Sequence, residues 1–533
     1  MADKSDKPDQ GFQGQAGIFL GLLLLAAALY KKAEPKLARF WFHHKYQFLA
    51  FAILGGICIL TTVVVYLWNW WADRSYEKAI TQPDLTSVYL GLNEKGRPVH
   101  VKQPFRTAHT QVIGTTNAGK SESVILPWAI RDMEVGSGLL IVDGKSDSAF
   151  LAKIYSYAVK LGRAKDFRLF SLVHRDPSTP FNPFIGNSAQ EASERVFSSF
   201  PIEHSHYRAV QSKLFLAIVT LIQKQKETPT FSLVHRLLTD KDYLEVWLSR
   251  ENDEAIKRVL GGFVKLSDRD RAEQVSGLDA NLSPFAFGNH AELFNCEEGG
   301  IQFDECLRQS LICYFQLPTM LYPFLGEATG KLVLQSFQSA VARRQVGLNG
   351  DLRFFSCYLD DFQDYIYRGF GSLLNKSRSA NVGIVFSHQA IGDLDKVSED
   401  FRNVVLTNTN IKIVMRNNDP TTCEYFAKSF GTETSEKTTD RRKAGPLGET
   451  RTGDGSVREV EQYVYHPNEI RRLGTGEAVV AIPHPRGMKM AKIQFARRPD
   501  LPAILLPSIP KAIPNASTEA IPPGNTERQS SRA

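Results

Sequence analysis

The chain is poor in cysteine, and the few it has are unpaired in sequence: Cys58, Cys296, Cys306, Cys313, Cys357 and Cys423 are scattered, with no Cys-x-x-Cys. That spacing excludes a zinc ribbon or a disulfide framework and reads as reduced core thiols, since most lie in apolar runs. Histidine cages are lacking too, because His43-His44, His204 and His206 have no Cys, Asp or Glu set at metal-ligand spacing. Nor is there a large excess of one charge. A formal +7 over 533 residues is compatible with a nucleic-acid or anionic-lipid partner but far from the density of a DNA-coating protein. An apolar share of 43% excludes disorder as the main state, and the length suggests about three units.

What is there is, first, a P-loop. Gly114, Thr115, Thr116, Asn117, Ala118, Gly119, Lys120 and Ser121 spell Gly, four residues, then Gly-Lys-Ser. A β-branched run, Thr110 to Ile113, precedes it, and Glu122 to Val135 reads as a helix, with Pro127 expected to kink it. Strand, glycine loop and helix therefore arrive in the order that a phosphate cradle requires. The glycines let backbone N–H groups turn toward phosphates, Lys120 reaches the β/γ-phosphates, and the Ser121 hydroxyl holds Mg²⁺. The cofactors expected are ATP and Mg²⁺.

Two apolar stretches open the chain. Phe48 to Trp68 is uncharged and closes on Trp68, Trp70 and Trp71, the aromatic belt of a helix leaving a bilayer. Ala16 to Tyr30 is shorter. A cleaved signal peptide is the other reading of it, but Lys4 and Lys7 stand against Asp3, Asp6 and Asp9, so the usual positive bias is missing and a membrane hairpin is favoured. The segment Lys31 to Lys45 is basic and by the positive-inside rule belongs in the cytoplasm. A P-loop needs cytoplasmic ATP, which places that segment outside, and the ATP argument is the stronger.

From Thr86 the pattern is that of a soluble domain. Val88 to Leu92 and Val99 to Val101 predict a β-hairpin. Gly138 to Val142, a helix through Val159 and Phe167 to Leu172 then give the strand–helix–strand punctuation of a parallel sheet. Between Asn182-Pro183 and about Gly300 strand signals nearly vanish, and Ala189 to Phe197, Tyr207 to Lys226, Phe231 to Leu238, Tyr243 to Val264 and Gln274 to Leu282 carry helical periodicity. The sheet resumes with Ser310 to Leu317, Phe354 to Leu359, Val382 to Phe386, Ile411 to Met415 and a late strand at Ala478 to Ile482. Residues around Lys437 to Lys443 read as a mobile loop, and the Pro-rich tail from Asp500 as disordered.

An apolar strand ending in an acid is the second half of a P-loop site, because its carboxylate emerges beside the bound Mg²⁺. Asp360 fits that role, and Asp361 sits where many such motors place a water-orienting glutamate, unless it is a loop carboxylate without function. Gln389, ending Phe386-Ser387-His388-Gln389, reads as a γ-phosphate sensor or a surface amide. Arg378 reads as an arginine finger for a neighbouring subunit or a solvated side chain.

The order of membrane hairpin, Gly114 to Ser121, Val-Asp-Gly-Lys, Phe181 to Phe184, helical insertion, Leu359 to Phe362, Phe386 to Gln389 and Asn408 to Arg416 resembles the TraD/TraG coupling ATPases of type IV secretion. The resemblance implies an α/β, RecA-like P-loop domain with an all-α insertion domain and an N-terminal transmembrane helical hairpin. It implies a bacterial inner-membrane ATPase, hexameric, which receives relaxase-bound DNA or protein substrates and passes them to channel components. Lys120, Ser121 and Asp360 would bind Mg-ATP, Asp361 take the catalytic-acid position where the family usually has Glu, Gln389 the sensor position and Arg378 that of the trans-acting arginine. The boundaries expected are residues 1–15 for a cytoplasmic tail, 16–72 for the hairpin, 86–185 and 301–499 for the two parts of the ATPase domain, 186–300 for the insertion and 500–533 for the tail. Two other readings remain open: a docking platform that binds ATP without driving transport, and a double-stranded-DNA translocase. The second usually carries a C-terminal winged-helix reader, where this chain has a proline-rich tail.

Overall fold

Strand β3 (Thr110–Ile113), which feeds the P-loop, lies inside one eleven-stranded sheet of order β2-β1-β13-β12-β9-β3-β8-β7-β4-β6-β5. The chain is described by a computed structural model over residues 46, 50, 53–71, 82–202, 205–347, 352–445, 448–484 and 487–508. The other strands are β1 (Val88–Asn93), β2 (Pro98–Val101), β4 (Gly138–Asp143), β5 (Phe167–Ser171), β6 (Ile312–Gln316), β7 (Phe355–Asp360), β8 (Val382–His388), β9 (Ile411–Met415), β12 (Glu477–His484) and β13 (Gly487–Phe495). From β9 to β5 every pairing is parallel, and β12, β13, β1 and β2 extend the sheet antiparallel. The parallel strands are buried on both faces, which is why they read as continuous apolar runs rather than as alternating ones.

One face is covered by α1 (Leu126–Glu134) and α2 (Ser148–Lys160). The other carries α3 (Ala189–Ser199), α4 (Ser205–Lys224), α5 (Phe231–Thr239), α6 (Lys241–Ser249), α7 (Glu254–Val264), α8 (Asp268–Ala286), α9 (Phe303–Gln309), α10 (Pro323–Gln345), α11 (Phe370–Lys376) and α12 (Glu399–Asn408). There Phe170, Phe181 and Phe315 from the sheet side join Phe215, Phe231 and Phe285 of the helices in one continuous core. α13 (Pro420–Phe430) covers β9 and β12 through a smaller cluster around Phe426.

Several expectations are corrected. The helix read over Tyr243 to Val264 is two, because Asp253 caps a new N-terminus by accepting from the N–H groups of Ala255 and Ile256. Helices α9 and α12 were not expected. The loop expected around Lys437 to Lys443 is instead part of a long antiparallel ribbon, β10 (Thr432–Gly445) with β11 (Gly448–Tyr463). The tail is not unstructured from Asp500: Leu501 and Leu506 pack on the core beside α2, and Ser156 and Tyr157 hold the carbonyls of Pro502 and Pro499. Residues 509–533 lie outside the described residues. Pro127 falls in the first turn of α1, directly after a widened π turn over Lys120–Ile125 that absorbs the irregularity.

The chain separates into two units, Met1–Gln82 and Pro83–Ala533. In the first, the helix Ile53–Trp71 is 19 residues long with mean hydropathy 1.7, long and apolar enough to cross a membrane. The stretch Ala16 to Tyr30 and the basic segment after it lie outside the described residues.

Candidate nucleotide-binding site

At the C-terminal edge of the parallel strands the loop between β3 and α1 forms a backbone nest. Asn117 and Gly119 take left-handed conformations, with φ 63° and 101°, so that successive N–H groups turn to one side. The cradle is close-fitting: a Cβ at Gly114 would come within 2.9 Å of the Met415 side chain, and one at Gly119 within 3.0 Å of Ser123 Oγ. Lys120 donates to the carbonyls of Gly114 at 2.7 Å and Thr115 at 3.3 Å. Burial pushes its pKa down, with the charges of Asp361 and Asp360 working the other way. Thr115, Thr116, Asn117, Gly119, Lys120 and Ser121 line one cleft, and Ala118 is buried behind them.

Strand β7 does not adjoin β3; β8 lies between them. That order leaves room at the strand ends, and the residues that fill it come from three strands. Ser121 Oγ donates to Asp360 Oδ2 at 2.5 Å, and Ser387 Oγ donates to Asp360 Oδ1 at 2.5 Å. Asp361 follows at φ 47°, and with Gln389 it lines the same cleft as the P-loop. Burial raises the Asp361 pKa, and the Asp360 charge raises it further. Gln389 is fixed through its backbone: its N–H donates to Asp393 and its carbonyl accepts from Asn417. Beneath it, buried His388 joins Gln111 at 2.8 Å, and Gln111 in turn accepts from Lys412.

Arg378 lies elsewhere. It is exposed in the turn Ser377–Ala380 before β8 begins, at the opposite edge of the sheet from its own P-loop. The seven residues of β8 separate the two edges by roughly 20 Å. Arg378 does not reach the nucleotide cleft of its own chain.

Sequence reasoning missed four residues here. Lys145 and Asp147 line the cleft. Asp143, ending β4, is the register partner of Asp360, accepts from Tyr314 at 2.8 Å and from the N–H groups of Lys145, Ser146 and Asp147, and has its pKa pushed up to about 7, by burial first and the Asp360 charge second. Ser387 anchors Asp360 as described. The signal for Asp143 was the one used for Asp360, an apolar strand ending in an acid.

These hard oxygen donors suit Mg²⁺. Among the described residues no group of three or more His, Cys, Asp or Glu is placed to cage a metal. Ser121 and Asp360 are the residues that would hold such an ion, with water and phosphate oxygens filling the rest of its shell.

Residues 355–475 match the family model described as the TraM recognition site of TraD and TraG. The type 4 coupling protein DotL of Legionella pneumophila is 22% identical over 398 residues, 61% of this chain and 49% of that protein. By both comparisons the chain is similar to type IV coupling proteins. It spans about half the length of this curated relative. Among solved structures, the bacterial conjugative coupling protein TrwBdeltaN70 in its unbound form has TM-score 0.58 at 16% identity, covering 81% of this chain and 93% of its own. TrwB in complex with the ATP analogue ADPNP has TM-score 0.58 at 16% identity over 81% and 94%, and TrwB with ADP and Mg²⁺ has 0.57 at 15% over 80% and 92%. At these identities the likeness establishes a shared fold alone.

Proposed function

We propose that this protein is a membrane-anchored ATPase that couples relaxase-bound DNA or protein substrates to a type IV secretion channel. The observation that carries the reading is the 2.5 Å bond from Ser121 to Asp360, which joins the P-loop to the acid-bearing strand at the edge where ligands bind in parallel sheets. The binding of an ATP analogue, and of ADP with Mg²⁺, by TrwB supports the nucleotide assignment.

In this reading the N–H groups of the P-loop and Lys120 hold the β/γ-phosphates. Ser121 and Asp360 hold Mg²⁺, which when bound neutralises charge on the phosphates. Asp361 orients the attacking water, Gln389 senses the γ-phosphate, and Lys145 adds a cation on the far side of the cleft. Arg378 serves the site of the next subunit in a homohexamer. Residues 16–72 form a hairpin in the inner membrane with the ATPase on the cytoplasmic side. Residues 86–185 and 301–499 make up the ATPase domain, and 186–300 the insertion that meets substrates.

Lys120→Ala is expected to abolish ATP hydrolysis by the full-length protein in detergent while leaving its thermal midpoint unchanged. Undiminished turnover overturns the site. For Arg378 the test mixes Lys120→Ala and Arg378→Ala in equal amounts. Recovery of part of the activity is expected, because some interfaces then pair an intact P-loop with an intact arginine; no recovery despite proven co-assembly refutes action in trans.

A further inference from the structure

A second cleft, of about 700 Å³, opens among the helices and shares no lining residue with the P-loop cleft. Its walls are α3, the start of α4, α10 and the segment 366–369. Four cations line it, Arg195, Arg208, Lys331 and Arg368, against the carboxylates of Glu191 and Glu194. Glu191 is already engaged by Arg343 at 2.8 Å and by the N–H of Ser188. Two of the cations, Arg208 and Arg368, form no ion pair among the described residues. Arg195 is 2% exposed, and its guanidinium donates to the Pro183 carbonyl, Asn187 and Ser339, all neutral acceptors. Arg208 donates to the Phe197 carbonyl, and the nearest carboxylate to Lys331 is Glu327 at 3.8 Å. Arg368 is exposed and forms no ion pair among the described residues. Burial pushes the Arg195 pKa down, and the charges of Glu191 and Asp304, which work the other way, are shared with Arg343.

The aromatic side chains decide which anion. A single-stranded nucleic acid is held by ring faces on which bases stack. Here Phe197, Phe200 and Tyr367 are buried, with their rings packed on Phe215, on Phe285 and Phe324, and on Phe370. Among the described residues that line the cleft, no aromatic ring is exposed to take a base. The wall also holds the amides and hydroxyls of Gln335, Gln338 and Ser198, groups that match a peptide main chain, beside the apolar Pro201, Ile366 and Val397.

We propose that this cleft captures an acidic peptide segment, its carboxylates on Arg208, Arg368 and Lys331. Tyr365 links the cleft to the acid-bearing strand. The floor of the cleft, 366–369, begins five residues after Asp361, and Gly330, next to Lys331, packs so tightly on Tyr365 that a Cβ would lie 2.7 Å from that side chain. The Tyr365 hydroxyl is itself 2.7 Å from the Asp360 carbonyl.

The test measures fluorescence anisotropy of a labelled octaglutamate peptide with the full-length protein in detergent, alongside octalysine and an oligothymidylate of equal charge. Octaglutamate is expected to bind in a salt-sensitive manner, and the double variant Arg208→Glu/Arg368→Glu to weaken it at least tenfold. Both arginines are exposed, so folding is checked simply by an unchanged thermal midpoint. Lys257→Glu, on the surface of α7, is expected to have no effect. An equal loss with Lys257→Glu makes the attraction general and overturns the proposal. So does oligothymidylate binding that depends on the two arginines while octaglutamate fails to compete.

Discussion

Strand β7 carries two polar clusters on one face, and they are built in opposite ways. Ser356 and Tyr358 face Arg106 and Asp132, which meet through two bonds of 2.6 and 2.8 Å; Tyr358 bonds both, and Trp128 and Phe354 cover the guanidinium. One step further along the same face, Asp360 meets neutral hydroxyls and stands in register with a second acid, Asp143. The first cluster cancels its charge internally, so it can only hold the fold together. The second crowds like charges, a state that a cation relieves. Polar burial at one end of a strand thus serves stability, and at the other it serves binding.

The largest expected effect breaks the first cluster. Arg106→Met leaves the Asp132 carboxylate buried without a countercharge, and the loss should be about 3–5 kcal/mol, read as a lowered midpoint in urea for the full-length protein. Asp132→Leu added to it should restore much of that loss, because the orphaned charge goes with it. A double variant as unstable as the single one shows that packing rather than charge governs this end of β7.

The second cluster should respond to pH instead. The Asp143 pKa is pushed up to about 7 in the folded chain, against about 3.9 unfolded. Between those values the folded state binds more protons than the unfolded, so stability from this group is fully present below pH about 3.9 and falls as pH rises toward 7, by at most about 1.4 kcal/mol per pH unit. Without Mg²⁺, the slope between pH 4.5 and 6.5 should flatten in Asp143→Asn. An unchanged slope means that the acids at this edge are not coupled.

The two clusters were unequally legible. Asp360 was readable because the apolar run Phe354 to Leu359 ends on it, a pattern with a chemical meaning beside a P-loop. Asp143 ends a run of the same kind, Gly138 to Val142, without drawing the same reading. Nothing in sequence shows that Arg106 and Asp132, lying in two different helices, will meet under β7. Ser387 was hidden for a similar reason, since a hydroxyl at a strand end acquires meaning only when β8 is seen between β3 and β7. The ribbon β10–β11 went unread because its Thr, Glu and Arg residues give no apolar face to alternate with, and its register is carried by backbone pairing. The split between α6 and α7 was in principle readable from Asp253, but continuous apolar spacing from Leu244 to Val264 outweighed a single cap.

The smallest expected effect on stability concerns Asp361, where the two demands meet in one residue. It is nine-tenths buried at φ 47° and ψ 49°, a left-handed conformation that Asp adopts more readily than most residues. Its conformation gives a backbone reason for the shorter acid at a position where motors of this kind often carry glutamate. Asp361→Glu trades backbone comfort for reach, so stability should fall by less than about 1 kcal/mol while ATP turnover is kept or raised. A loss of turnover beyond about tenfold, about 1.4 kcal/mol of barrier, means that the cleft is shaped for aspartate. Asp361→Asn separates the two demands, because asparagine keeps the left-handed backbone and removes the charge. It should leave the fold at least as stable, since a carboxylate crowded by Asp360 is gone, and should abolish turnover if Asp361 orients the water. Full turnover in Asp361→Asn would leave this acid with a conformational role alone.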